Sequence, residues 1–143
     1  MYVEVIGGSK SQKNHVHKMV EFCIQTLMPK MDLDITVNIC KPQGAMGYCC
    51  ETDDNRTFEI EVDKSQKLRA MLETVAHEMV HVKQYARREL SPDKHTWMGK
   101  TYNPTKIDYW DLPWEIEAHG REVGLFVRYC EANKLGGQKW TQI

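Results

Sequence analysis

The stretch Thr74-Val75-Ala76-His77-Glu78-Met79-Val80-His81 decides how this chain is read. Leu68, Met71, Leu72, Val75, Ala76, Met79 and Val80 recur at i, i+3, i+4 and i+7, the period of a helix with one apolar stripe. Side chains four apart share a face of such a helix, so the imidazoles of His77 and His81 can converge on one metal ion. Glu78 lies one step round the cylinder, placed to work on a metal-held water and not on the metal. Two buried histidines of purely structural use at this spacing would each need a hydrogen-bond partner. Asp63 or Ser65 can cap the start of this helix, and Pro92 stops it soon after Leu90.

Working outward towards the N-terminus, three runs alternate like strands. Asp34 to Cys40 sets Ile35, Val37 and Ile39 against Thr36 and Asn38, and Thr57 to Val62 sets Phe58, Ile60 and Val62 against Glu59 and Glu61. Between them, Met46 to Glu51 is flanked by turn signals at Pro42-Gln43-Gly44 and Asp53-Asp54-Asn55, so it pairs back on the first run as a hairpin. The expected sheet is therefore three-stranded and antiparallel, with Met1 to Ile6 as a further short strand or extended arm. Ser11 to Met28 reads as a helix closed by Pro29, capped by Ser9 or Ser11; His15 and His17 lie off its stripe as solvated residues.

Beyond the His77–His81 helix, Ser91 to Asp111 has no sustained period, and a loop of that length usually has a function. It forms a wall of the cleft, tied down by Trp97, Tyr102, Tyr109 and Trp110. A last helix opens at Leu112-Pro113 and runs to about Asn133, before Gly136-Gly137. The fold class is α+β, one domain over residues 1–143.

Composition removes several other functions. Nineteen Lys and Arg against twenty Asp and Glu leave a net charge of −1, which gives no general electrostatic attraction to nucleic acid or membrane. No run of apolar residues approaches spanning length and no signal pattern opens the chain, so a cytoplasmic protein is expected. Five Cys without a C-x-x-C read as reduced thiols, not as a disulfide framework or a zinc ribbon.

A catalytic zinc takes three protein ligands and leaves a fourth position for water. Gln84 and Arg87 stand where the extended motif would need Gly and His, so the third ligand comes from elsewhere. Glu115, Glu117 and His119 on the last helix are the candidates, with His95 in the loop. Glu117 shares a face with Gly120, Gly124 and Val127, and small residues there would let two helix backbones approach closely. We read Glu117 as the ligand on that ground, with His119 and then Glu115 in reserve; an ion pair to Arg121 is its competing role.

His77-Glu78-x-x-His81 followed by Trp114-Glu115-Ile116-Glu117-Ala118 resembles the Glu-zincin arrangement, in which a Glu before Ala on the next helix completes the site. The order helix, three strands, metal helix is similar to SprT-like metallopeptidase domains, including small phage-encoded ones, over most of residues 11–130. SprT-type proteins generally use a third His and many carry a Cys-rich zinc ribbon; this chain offers Glu117 and no such ribbon. The resemblance implies a zincin-like domain and a zinc-dependent metallopeptidase that hydrolyses a protein or peptide substrate. Zn²⁺ is then held by His77, His81 and Glu117, and Glu78 is the general base. It also implies that Thr57 to Val62 borders the cleft and takes extended substrate by strand addition. Tyr102, Tyr109, His119 and Arg121 are candidate donors to an oxyanion. A zinc-stabilised module that only binds a peptide or partner is the rival. A protease tethered to nucleic acid through Lys83, Arg87, Arg88, Lys94, Lys100 and Lys106 is a second.

Overall fold

The chain order is β1 (Tyr2–Ile6), α1 (Lys10–Leu27), β2 (Asp34–Cys40), β3 (Gly47–Glu51), β4 (Thr57–Asp63), α2 (Leu68–Ala86), β5 (Thr96–Trp97), β6 (Lys100–Thr101) and α3 (Pro113–Ala132), with 3₁₀ turns at Tyr109–Asp111 and Lys139–Gln142. This computed structural model describes residues 1–42, 44–51 and 56–143. The expected turn at Asp53-Asp54-Asn55 lies outside the described residues, as does Gln43 of the other turn.

The α+β class holds, but the sheet is mixed and four-stranded, in the order β1-β2-β4-β3. β1 and β4 both run parallel to β2, and the antiparallel pair is β3 with β4. The expected hairpin between β2 and β3 is thus replaced by one between β3 and β4. Burial gives the reason. Phe58, Ile60 and Val62 of β4 lie in register with Ile35, Val37 and Ile39 of β2, and together they cover one continuous apolar face. The strand with the stronger apolar alternation takes the centre, and Gly47-Tyr48-Cys49-Cys50-Glu51 is left at an edge. Residues 1–6 form the opposite edge strand and not a free arm.

α2 is the central helix. It packs against α1, α3, β3 and β4, and every residue from Val75 to Ala86 is buried. It begins at Leu68 after Lys67, and Asp63 instead accepts from the Ser65 backbone in the turn before it. α1 is capped as expected, with Ser9 and Gln12 forming a reciprocal capping box. His15 is not solvated: its Nδ1 lies 2.8 Å from the Tyr129 hydroxyl, and its ring packs against Trp140. The segment 91–111 also has more structure than expected, a small β5–β6 hairpin and the turn at Tyr109. Trp97 and Tyr102 pack its base onto Trp114 of α3. Among the described residues, no helix is long and apolar enough to cross a membrane.

Candidate metal centre

Complete burial of the second half of α2 means that each of its polar side chains must find a partner inside the protein. His77 and His81 meet on the α3 side. Their Nε2 atoms are 3.2 Å apart, and Glu115 Oε1 lies 3.1 Å from the first and 3.3 Å from the second. All three residues are less than one-tenth exposed. Ligand atoms held about 2.0–2.2 Å from a tetrahedral zinc lie about 3.3–3.6 Å from one another, so this triangle has nearly the required edges. Two imidazole nitrogens and a carboxylate oxygen are also the donor set that zinc accepts. The residues fit the metal.

Glu115, and not Glu117, is the carboxylate brought to the two histidines. Glu117 faces the other way along the helix pair. It accepts from Lys83 Nζ at 2.6 Å, Gln84 Nε2 at 3.0 Å and Arg121 Nε at 3.0 Å. The phase argument fails at the glycines: a Cβ at Gly120 or Gly124 would meet nothing within 4 Å, so neither lies in the helix contact. The packed arc of α3 is instead Trp114, Ala118, Leu125, Phe126 and Tyr129. Glu115 and Glu122 sit within that arc, and this apolar stripe is the signal that identifies them. His95 is exposed in the β5 loop, where its Nδ1 turns back to the Asp93 carbonyl at 2.8 Å.

Outer partners orient both histidines. Gln84 is fully buried, and its amide donates to the Trp114 carbonyl at 2.9 Å and to Glu117, so its Oε1 accepts from His81 Nδ1 at 2.8 Å. That bond places the His81 proton on Nδ1 and frees Nε2 for a metal. His77 Nδ1 is buried without a hydrogen bond, 3.6 Å from Glu122 Oε1. Glu122 also accepts from His119 Nδ1 at 2.6 Å, so His77, His119 and Glu122 form a second cluster sharing one histidine. Within it His119 and Glu122 are bonded to each other, and the His77 ring packs 4.4 Å from that of His119. Tyr109 closes the group: its hydroxyl donates to Glu115 Oε1 at 3.0 Å and lies 2.9 Å from His119 Nε2.

Electrostatics follow from this crowding. Burial disfavours a charged His77, yet the hydrogen bond to Glu115, the nearby carboxylate of Glu122 and the charge of Glu78 carry its pKa up to about 10. For Glu115, burial is outweighed by the bonds to His77 and His81, which hold its carboxyl well below the usual range. Glu78 moves the opposite way: burial raises its pKa against the attraction of His81 and His77. Tyr109 is pushed up by burial and by the charge of Glu115.

The cleft has two connected parts on either side of Glu78. One, of about 270 Å³, is lined by Ala45, Met46, Gly47, Thr74, Tyr109 and His119, among others. The second, of about 190 Å³, reaches Tyr48, Cys49, Tyr85, Lys94, His81 and Glu115. The strand at its margin is β3, because β4 lies inside the sheet between β2 and β3. Of the four oxyanion candidates, Tyr109 and His119 reach the cleft, whereas Tyr102 packs on Trp114 and Arg121 pairs with Glu117. Two of the six basic residues considered for nucleic acid are engaged internally, Lys83 by carboxylates and Arg87 by the Leu27 carbonyl at 2.9 Å. No family model, curated protein or solved structure matches the chain.

Proposed function

We propose that the protein is a zinc-dependent peptide hydrolase, with His77, His81 and Glu115 as the metal ligands and Glu78 as the general base. The observation that carries this reading is the triangle of Nε2, Nε2 and Oε1 atoms, with edges near those of a tetrahedral site, and the buried Glu78 carboxylate beside it. Zinc bound there would polarise a scissile carbonyl and lower the pKa of a water. Glu78 takes the proton from the attacking water. Its raised pKa suits it to hold that proton and pass it to the leaving amine. A site serving only to clamp two helices has no use for such a group.

The Tyr109 hydroxyl and the His119–Glu122 pair are the donors nearest the centre, and they stabilise charge developing on the carbonyl oxygen. The outermost strand, β3, takes extended chain by strand addition, a role that the resemblance had given to Thr57 to Val62. Gly47 makes that approach work, because a Cβ there would lie 2.4 Å from Thr74 Cγ2 and 3.2 Å from Glu78 Oε2.

Glu78→Gln tests the chemistry. Zinc content should stay at one per chain, while hydrolysis of an unfolded protein substrate falls by roughly a hundredfold or more. Equal activity of Glu78→Gln and a hydrolytic wild type would exclude this mechanism. A wild type that binds zinc tightly and cleaves nothing would support the binding-module reading.

A further inference from the structure

Among the described residues lining the two parts of the cleft, Lys94 is the one lysine or arginine. Its situation differs from that of Lys83, whose ammonium is neutralised by Glu89 at 2.9 Å and Glu117 at 2.6 Å. Among the described residues, no side-chain hydrogen bond or ion pair engages the Lys94 ammonium. Its backbone is not casual either. Lys94 adopts φ 61, a left-handed conformation that costs a long side chain free energy and persists only where surrounding bonds impose it.

Those bonds are present. The Lys94 N–H donates to the Ser91 carbonyl at 2.9 Å, and the Ser91 hydroxyl donates to Asp93 Oδ1 at 2.6 Å. Asp93 Oδ1 in turn accepts from the His95 N–H at 3.0 Å, and Ser91 Oγ from the Thr96 N–H at 3.0 Å. The small β5–β6 hairpin follows directly and fixes the turn to the body of the protein. The Lys94 backbone is thereby fixed at the wall of the cleft, in the part that contains His81, Glu115, Tyr48 and Tyr85.

We propose that Lys94 anchors a carboxylate-binding subsite, so that the chains this cleft accepts carry a carboxylate on its His81–Glu115 side. The inference rests on the peptide-hydrolase reading and names its substrate class. A neutral peptide offers the Lys94 ammonium only carbonyl oxygens, whereas a carboxylate makes a stronger, charge-assisted hydrogen bond to it. The shared chemistry has two sources, an acidic side chain or a free C-terminus. A competing role is purely internal: Lys94 attracts Glu78 and restrains the rise of its pKa. That role would affect all substrates alike, and the subsite would not.

The test is binding to the zinc-loaded Glu78→Gln protein, read by fluorescence anisotropy. The probes are neutral peptides through which one Glu is moved, each paired with its Gln isostere and made with free and amidated C-termini. The expected result is a preference of about tenfold for the carboxylate form at one position. Dependence on the moved Glu identifies a side chain, and dependence on the free terminus identifies a chain end. Lys94→Met should erase the preference, and Lys94→Glu should reverse it in favour of a Lys-containing peptide. Lys94 is exposed, so loss of fold does not obscure the comparison. Equal binding of acid and amide forms, no measurable binding of any probe, or a preference that survives Lys94→Met overturns the subsite. Persistent discrimination with no hydrolysis by the zinc-loaded wild type would sink the peptidase reading and leave the carboxylate site standing.

Discussion

The contact between α2 and α3 carries two groups of buried charge that differ in kind. At one end, His77, His81 and Glu115 turn three ligand atoms to one spot, where they could hold a metal ion. At the other, Lys83, Gln84, Glu89, Glu117 and Arg121 close on one another in ion pairs and amide bonds. Both ends are buried by the same two helices, so burial does not separate them. What separates them is balance. The second group pairs its opposite charges internally, and the first gathers three ligand atoms round a point where a cation could sit. Glu115 and Glu117, two residues apart, fall on opposite sides of that division.

The largest expected effect is on metal binding. Glu115→Gln should weaken zinc by more than the roughly 10–100-fold typical of losing an outer partner. Glu117→Gln should weaken it within about tenfold, through Gln84 and the orientation of His81. The metal-free protein should lose stability in both variants, in Glu115→Gln through the lost bond to His77. Glu117→Gln removes a carboxylate from buried Lys83, which keeps Glu89, and should cost the metal-free protein about 1.5–3 kcal/mol. Zinc titration of the two variants checks the ranking, and urea denaturation measures the two losses of stability. If Glu117→Gln lost zinc more than Glu115→Gln, the division between the two ends would be misplaced.

Legibility in the sequence follows the same line. His77, Glu78 and His81 were readable because their spacing and chemistry reside within one helix, and no tertiary contact is needed to bring them together. Glu115 was harder because its position depends on which arc of α3 faces α2. Gly120 and Gly124 suggested one arc by their size, but they are open to solvent. Trp114, Ala118, Leu125 and Tyr129 carried the better signal, since apolar area and not the mere absence of a side chain drives helices together. The sheet failed for a related reason. Turn residues around residues 42–44 and 53–55 mark where strands end but not which strands pair. Pairing was settled by the register that aligns Phe58, Ile60 and Val62 with Ile35, Val37 and Ile39. Lys83 and Gln84 look like a solvated face, and only burial of α2 on every side reveals them as internal.

A smaller effect concerns pH and the metal-free protein. His77 has its folded pKa raised to about 10 from 6.5. The stability this contributes is fully present below pH 6.5 and is lost as pH rises towards 10. Because Glu115 is the leading source of the rise, Glu115→Gln should flatten the stability profile between pH 6.5 and about 9, while Glu117→Gln should leave its slope in place. Zinc competes for the same Nε2, so binding in that window should release a proton. Calorimetric titration in two buffers of different ionisation enthalpy measures that release. Heat independent of buffer would mean that His77 is already neutral.

The smallest effects come from glycines on the two sides of α2, and they separate close approach from mere smallness. Gly47 on β3 lies against the metal helix, where a Cβ would come within 2.4 Å of Thr74 Cγ2. Gly47→Ala must therefore move the strand or Thr74, at a cost of about 1–3 kcal/mol, and shift the cleft edge away from Glu78. Gly120 and Gly124 have open space where the Cβ would go, within a helix interior where glycine is entropically unfavourable. Gly120→Ala and Gly124→Ala should each stabilise the protein by about 0.5–1 kcal/mol and leave zinc affinity unchanged. Thermal unfolding of the three variants, with and without zinc, ranks them. A loss of zinc in Gly120→Ala or Gly124→Ala would bring the glycine face back into the helix contact, and Glu117 back with it.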